Sequence, residues 1–211
     1  MRRPHLVTFD IFGTVIDWRT GLETSCRKAG RPLRDGEFDR VVDVQGELEQ
    51  GDLDYATVTQ LSLTHVLGLD QTQAAVIGAA AGTWPLYPDA PVLRALMRIA
   101  PCGAMTNSDR HHGQEIQARL GFSLDIWLCA EDIRLYKPNP EFWLRMGDLR
   151  GLSPSADWWH VSAYADYDLG VANALGLTTV LVTRPHSRPG PSSHVVADLN
   201  GLAALLSAET E

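Results

Sequence analysis

Asp10 closes the short apolar run Leu6-Val7-Thr8-Phe9 and is followed by Gly13, which can turn, and Thr14, whose hydroxyl can hold an oxygen. A carboxylate at the carboxyl end of a buried strand lies where open α/β sheets place their chemistry. Other polar groups follow comparable runs: Thr106-Asn107-Ser108, Lys137 within Leu135-Tyr136-Lys137-Pro138-Asn139-Pro140, and the segment from Ser162 to Asp168. Alone, each reads as a turn, a helix cap or a solvated charge. Found in this order, on one repeating rhythm, they point to a shared site. Two places after Asp10 stands Phe12, which can protonate nothing. A nucleophilic carboxylate with no acid beside it suits a leaving group that departs without needing a proton, such as a halide.

The elements that must hold these groups are legible as alternation. Apolar runs at Leu6–Phe9, Gly103–Met105, Ile126–Cys129, Trp159–Val161, Thr179–Val182 and Val195–Val196 alternate with helix-like stretches, which implies an α/β fold with a doubly wound parallel sheet. Asp89 is placed to cap a helix carrying Val92, Leu93, Leu96 and Met97, and Asn139-Pro140 to start one carrying Phe142, Trp143, Met146 and Leu149. Gly121 and Gly176 read as helix stops. Between the first and second runs the pattern is helical throughout, with Phe38, Val41, Val42 and Leu48, then Val58, Leu61 and Leu67, then Val76, Ile77 and Ala80. The expected division is a core of residues 1–16 and 85–211 and an inserted helical cap of residues 17–84.

The 211 residues are 45% hydrophobic and 21% charged, enough for one such core and a modest insertion. The formal charge of −8 argues against a nucleic-acid or acidic-membrane partner. No apolar run approaches the roughly 20 residues of a membrane span, and Met1 to His5 lead straight into a strand, so a cytoplasmic protein is expected. Cys26, Cys102 and Cys129 lack metal-type spacing and read as buried reduced thiols.

Phe-Asp-Ile-Phe-Gly-Thr-Val-Ile-Asp-Trp, Tyr136-Lys137-Pro138-Asn139-Pro140 and the order of the remaining groups resemble the haloacid dehalogenase superfamily, and within it the L-2-haloacid dehalogenase branch. The resemblance covers nearly the whole chain. It implies a Rossmann-like core with a helical cap, and a hydrolase in which Asp10 attacks the carbon bearing the leaving group to form an aspartyl ester. Lys137 would lower the cost of keeping Asp10 ionised, and Asp168 would pair with the lysine and position water. Thr106 and Asn107, with the amides of the following helix start, would bind the substrate carboxylate. Thr14 would hydrogen-bond in the nucleophile loop, and Ile11, Phe12 and Trp18 would line the pocket. Ser162 and Tyr164 would stand near the substrate, and Arg40 on the early cap would receive a halide. The partner is then a small carboxylic acid, and a homodimer is the family habit.

Two departures matter. Phosphatases of the superfamily carry an acid at the place of Phe12 and a metal-binding aspartate at that of Ala163, so neither cofactor nor metal is expected, although Asp166 could offer an oxygen. The leading expectation is hydrolysis of L-2-haloacids to 2-hydroxy acids. Its rivals are ring-opening of a small cyclic amino acid of the azetidine-2-carboxylate type, a phosphatase, and a non-catalytic binding protein.

Overall fold

The computed structural model describes residues 3–210; Met1, Arg2 and Glu211 of the expected core lie outside the described residues. Strand β1 (Leu6–Phe9) is buried along its whole length, as its mostly apolar character predicts. It pairs in parallel with β2 (Cys102–Thr106) on one side and β4 (Trp158–Ser162) on the other. Strands β3 (Ile126–Cys129), β5 (Thr178–Val182) and β6 (His194–Val196) complete a parallel sheet of order β3-β2-β1-β4-β5-β6. The chain winds outward from β1 in both directions. The carboxyl ends of β1, β2 and β4 therefore flank the switch point, where a crevice must open.

Helices α1 (Trp18–Lys28), α2 (Glu37–Leu48), α3 (Tyr55–Leu67) and α4 (Gln71–Ala79) lie between β1 and β2, inside the stretch expected to be helical. Asp17, Asp54 and Asp70 cap α1, α3 and α4, each accepting a backbone N–H three residues on. Phe38, Val41 and Val42 of α2 face the core with Trp18 and Leu22 of α1, while Leu63 and Leu67 of α3 meet Ile77 of α4.

Asp89 corrects one expectation. Its side chain does not cap the turn that follows it; α5 (Leu93–Leu96) is a single turn continuing a 3₁₀ turn, and the Asp89 carboxylate accepts from Arg184 and from the distant backbone N–H of Leu199. A buried acid found a buried cation, a stronger demand than a helix end. The other helices are α6 (Arg110–Leu120), α7 (Ala130–Ile133), α8 (Glu141–Arg150), α9 (Gly170–Ala174) and α10 (Leu199–Thr210). Gly121 ends α6 in the left-handed region, and Asn139 accepts from the backbone N–H of Glu141 at the start of α8. All three cysteines are free and buried.

Candidate active site

Asp10 follows β1 on a tight loop whose shape depends on Gly13. Its φ is +90°, and a Cβ there would lie 2.7 Å from Tyr164 and 2.8 Å from His186. That turn brings Thr14 back over Asp10. Thr14 Oγ1 donates to Asp10 Oδ2 at 2.7 Å and accepts from the backbone N–H of Ala163 at 2.9 Å, tying the loop to the end of β4.

Lys137 is buried, and its ammonium bridges two carboxylates, Asp10 Oδ1 at 3.0 Å and Asp168 Oδ2 at 2.9 Å. Asp168 sits on the π-helical turn Ala165–Leu169 after β4, where its other oxygen meets His160 Nε2 at 3.1 Å. An ionised carboxylate only accepts, so His160 donates here. Its Nδ1 lies 2.8 Å from Thr8 Oγ1, which also accepts from Trp158 Nε1. His160 was not expected at the site. Its signal in the sequence was a lone histidine in an otherwise apolar strand.

Two buried carboxylates share one cation, and the consequences differ. Burial opposes the Asp168 charge, but Lys137 and then His160 outweigh it and hold that carboxyl well below the ordinary range. Asp10 shifts the other way: burial, reinforced by Asp168, raises its pKa against the pull of Lys137 and Thr14. Lys137 thus offsets part of the cost of charging Asp10 without outweighing burial. Lys137 itself is raised by the two acids, against the effect of burial.

Above Asp10 lies a small cavity of about 80 Å³, walled by Phe12, Trp18, Val42 and Tyr55 and floored by Asp10 and Lys137. Phe12 is fixed edge-on against Trp18 and His112, with ring centroids 6.3 and 6.1 Å apart. Thr106 and Ser108 also reach the cavity, their hydroxyls 3.0 Å from each other.

Asn107 lines the cavity too, but its side chain is fully used. Oδ1 accepts from Lys137 N–H at 2.7 Å, while Nδ2 donates to Lys137 O at 2.9 Å and to Glu49 Oε2 at 2.8 Å. No donor is left on that amide for a substrate, contrary to expectation. Two amides of the helix start after it are engaged as well, Arg110 N–H to Glu131 and His112 N–H to Asp109.

Other expected residues lie elsewhere. Arg40 points outward from α2, with its side chain 52% exposed and 3.4 Å from Glu47. It misses the cavity because Phe38, Val42 and Gln45 form the inward stripe of α2, and residue 40 falls on the opposite side. Ser162 and Tyr164 are buried behind the nucleophile loop, Ser162 Oγ accepting from the Tyr164 N–H. Ile11 is buried and lends its carbonyl to the N–H groups of Thr14, Val15 and Ile16. Asp166 is exposed and 3.5 Å from Arg188, away from Asp10.

Glu49, just past α2, was not expected either; it lines the cavity opposite Asp10. Burial pushes its carboxyl up to about 8, against the pull of Asn107 and Lys137. The signal was present: Phe38, Val42, Gln45 and Glu49 continue one helical stripe at spacings of 4, 3 and 4.

The residues do not fit a Mg²⁺ site of the phosphatase kind. Phe12 and Ala163 supply no oxygen from their side chains, and the Lys137 ammonium already bridges Asp10 and Asp168.

A parallel sheet bearing a buried, oriented carboxylate at its switch point defines an α/β enzyme with an aspartate at the centre of its site. The chain belongs to the haloacid dehalogenase-like hydrolases, whose family model matches residues 4–156. It is 34% identical over 130 residues to the (S)-2-haloacid dehalogenase 4A of Burkholderia cepacia, a match covering 57% of this chain and 54% of that protein. The matched segment thus spans about half the length of that curated relative. A defluorinating L-2-haloacid dehalogenase superposes with a TM-score of 0.80 at 25% identity, over 98% of this chain and 96% of its own. The L-2-haloacid dehalogenase of Xanthobacter autotrophicus shares the fold, with a TM-score of 0.82 at 21% identity over 97% of this chain and 98% of its own.

Proposed function

We propose that this chain is a hydrolase in which Asp10 displaces a leaving group from an sp³ carbon of a small carboxylic acid, with the hydrolysis of L-2-haloacids as its leading reaction. The observation that carries this reading is the Asp10 carboxylate, held by Thr14 and Lys137 at the floor of a small aromatic-walled cavity, with Phe12 in place of a neighbouring acid. One Asp10 oxygen attacks in line with the departing group and forms an aspartyl ester. Water then adds to the Asp10 carboxyl carbon, the ester opens, and a 2-hydroxy acid of inverted configuration leaves. In this reading Asp168, held by Lys137 and His160, positions that water. Residues 17–84 act as a cap that shuts water out of the first step.

A second reading, ring-opening of a small cyclic amino acid by the same attack, is favoured by one observation. Glu49 faces the nucleophile, and Arg40 does not reach the cavity.

The mechanism is tested by Asp10→Asn, which should abolish turnover while the fold survives, because an amide is nearly isosteric and a poor nucleophile. In heavy-oxygen water, a single turnover of the unaltered enzyme should label Asp10 before product. Label in the product with Asp10 unlabelled would replace the ester by direct attack of water.

A further inference from the structure

The cavity offers a departing anion a single cationic partner. Among the described residues that line it, Lys137 is the one cation, and two of its three N–H groups are already given to Asp10 and Asp168. Opposite stands Glu49, brought in from the cap and oriented by Asn107 through Oε2, while Oε1 accepts no hydrogen bond among the described residues. A halide ion leaving into this space would meet carboxyl groups on both sides. A group that carries positive charge until it leaves would meet a partner.

We propose that Glu49 is a specificity-determining residue of this site: its carboxylate pairs with a cationic leaving group, so that beside haloacids the site takes a small cyclic amino acid whose ring ammonium nitrogen is displaced. The inference rests on the Asp10 attack proposed above and names its substrate class. An ammonium needs no acid to leave, which agrees with Phe12 beside the nucleophile. The ring is required because relief of its strain offsets the poor departure of an ordinary amine.

The steps balance. The Asp10 oxygen–carbon bond forms as the carbon–nitrogen bond breaks. That electron pair stays on nitrogen, which becomes a neutral amine tethered to the same molecule. Water then adds to the Asp10 carboxyl carbon and the alkyl oxygen leaves. One water proton completes the product hydroxyl, and the other passes to the freed amine. The product is an amino hydroxy acid.

The charge of Glu49 gives the test its sign. The groups facing it are Asp10 from the end of β1, Lys137 and Tyr136 from the loop before α8, Tyr55 from α3 and Tyr167 from the turn after β4. Burial pushes all three tyrosines up, and the two acids raise Lys137. Asp10 affects every substrate alike, as the shared nucleophile. A difference between two substrates through about pH 8 therefore reports Glu49.

The experiment measures kcat/KM for azetidine-2-carboxylate and for L-2-chloropropionate across that range, with the intact chain and with Glu49→Gln. The expected result is ring-opening that rises as Glu49 ionises and chloride release that falls. Glu49→Gln should remove this opposition, lower kcat/KM for the ring by about 10–100-fold, the scale of a lost charged hydrogen bond, and raise it for the haloacid. If that variant does not fold, the opposed pH profiles of the intact enzyme decide. Chloride release without ring-opening, or parallel profiles for both substrates, would overturn the role of Glu49 and leave the Asp10 mechanism standing. An equal loss on both substrates in Glu49→Gln would reduce Glu49 to a latch between cap and core. Turnover of neither substrate would fail the Asp10 reading itself.

Discussion

Lys137 carries more than its own contact. Its ammonium neutralises Asp168 and tempers Asp10, both buried, so Lys137→Met would leave two carboxylates facing each other without a cation. Breaking a buried pair in this way costs about 3–5 kcal/mol. We predict a loss of that size in urea denaturation at pH 7, together with loss of turnover. The penalty should shrink in acid. The Asp168 carboxyl is held below its ordinary value of 3.8, so its stabilising share is present above that value and is lost as pH falls through the lowered one. In the intact enzyme, activity should fall on the acid side as Asp10, whose pKa is raised, takes up a proton. Asp10, Lys137 and Asp168 were legible from sequence because each ends or follows an apolar run. Their charge balance was not. It depends on how many acids share one lysine, and that emerges only when β1, β4 and the loop before α8 meet.

At the scale of elements, α2 shows what periodicity decides and what it leaves open. The inward stripe of Phe38, Val42 and Gln45 was readable, yet Arg40 was expected at the cavity because it is an early cap cation. About half a turn of helix separates the faces, and Arg40 lies with Asp43 and Glu47 on the solvent side. We predict that Arg40→Ala changes turnover less than twofold and stability by about 0–1 kcal/mol, as for an exposed ion pair; steady-state kinetics and thermal melting check both. A rate loss of 10²-fold or more would mean that α2 rotates when substrate binds. The strands were found within a residue or so at each end, since burial on both faces leaves a mostly apolar run. The Asp89 cap failed for a tertiary reason. Arg184, 95 residues away, has no local signature that announces its partner.

The whole molecule carries a formal charge of −8, and the acids at its cavity add to that field locally. A haloacid is a monoanion and must approach against it, whereas a cyclic amino acid arrives as a zwitterion with no net charge. Screening therefore separates the two substrate classes without any mutation. Between ~10 mM and ~150 mM ionic strength the Debye length contracts from about 30 Å to about 8 Å, which removes most of the long-range repulsion. We predict that raising a halide-free salt over this interval increases kcat/KM for L-2-chloropropionate and leaves azetidine-2-carboxylate nearly unchanged, because the zwitterion senses only the short-range pair with Glu49. That contact lies inside the closed cavity, where mobile ions screen little. A strong salt response for the zwitterion would place the recognition of nitrogen at the open surface and not beside Asp10, while a haloacid rate indifferent to salt would show that the anion enters through a locally neutral mouth despite the net charge of the chain.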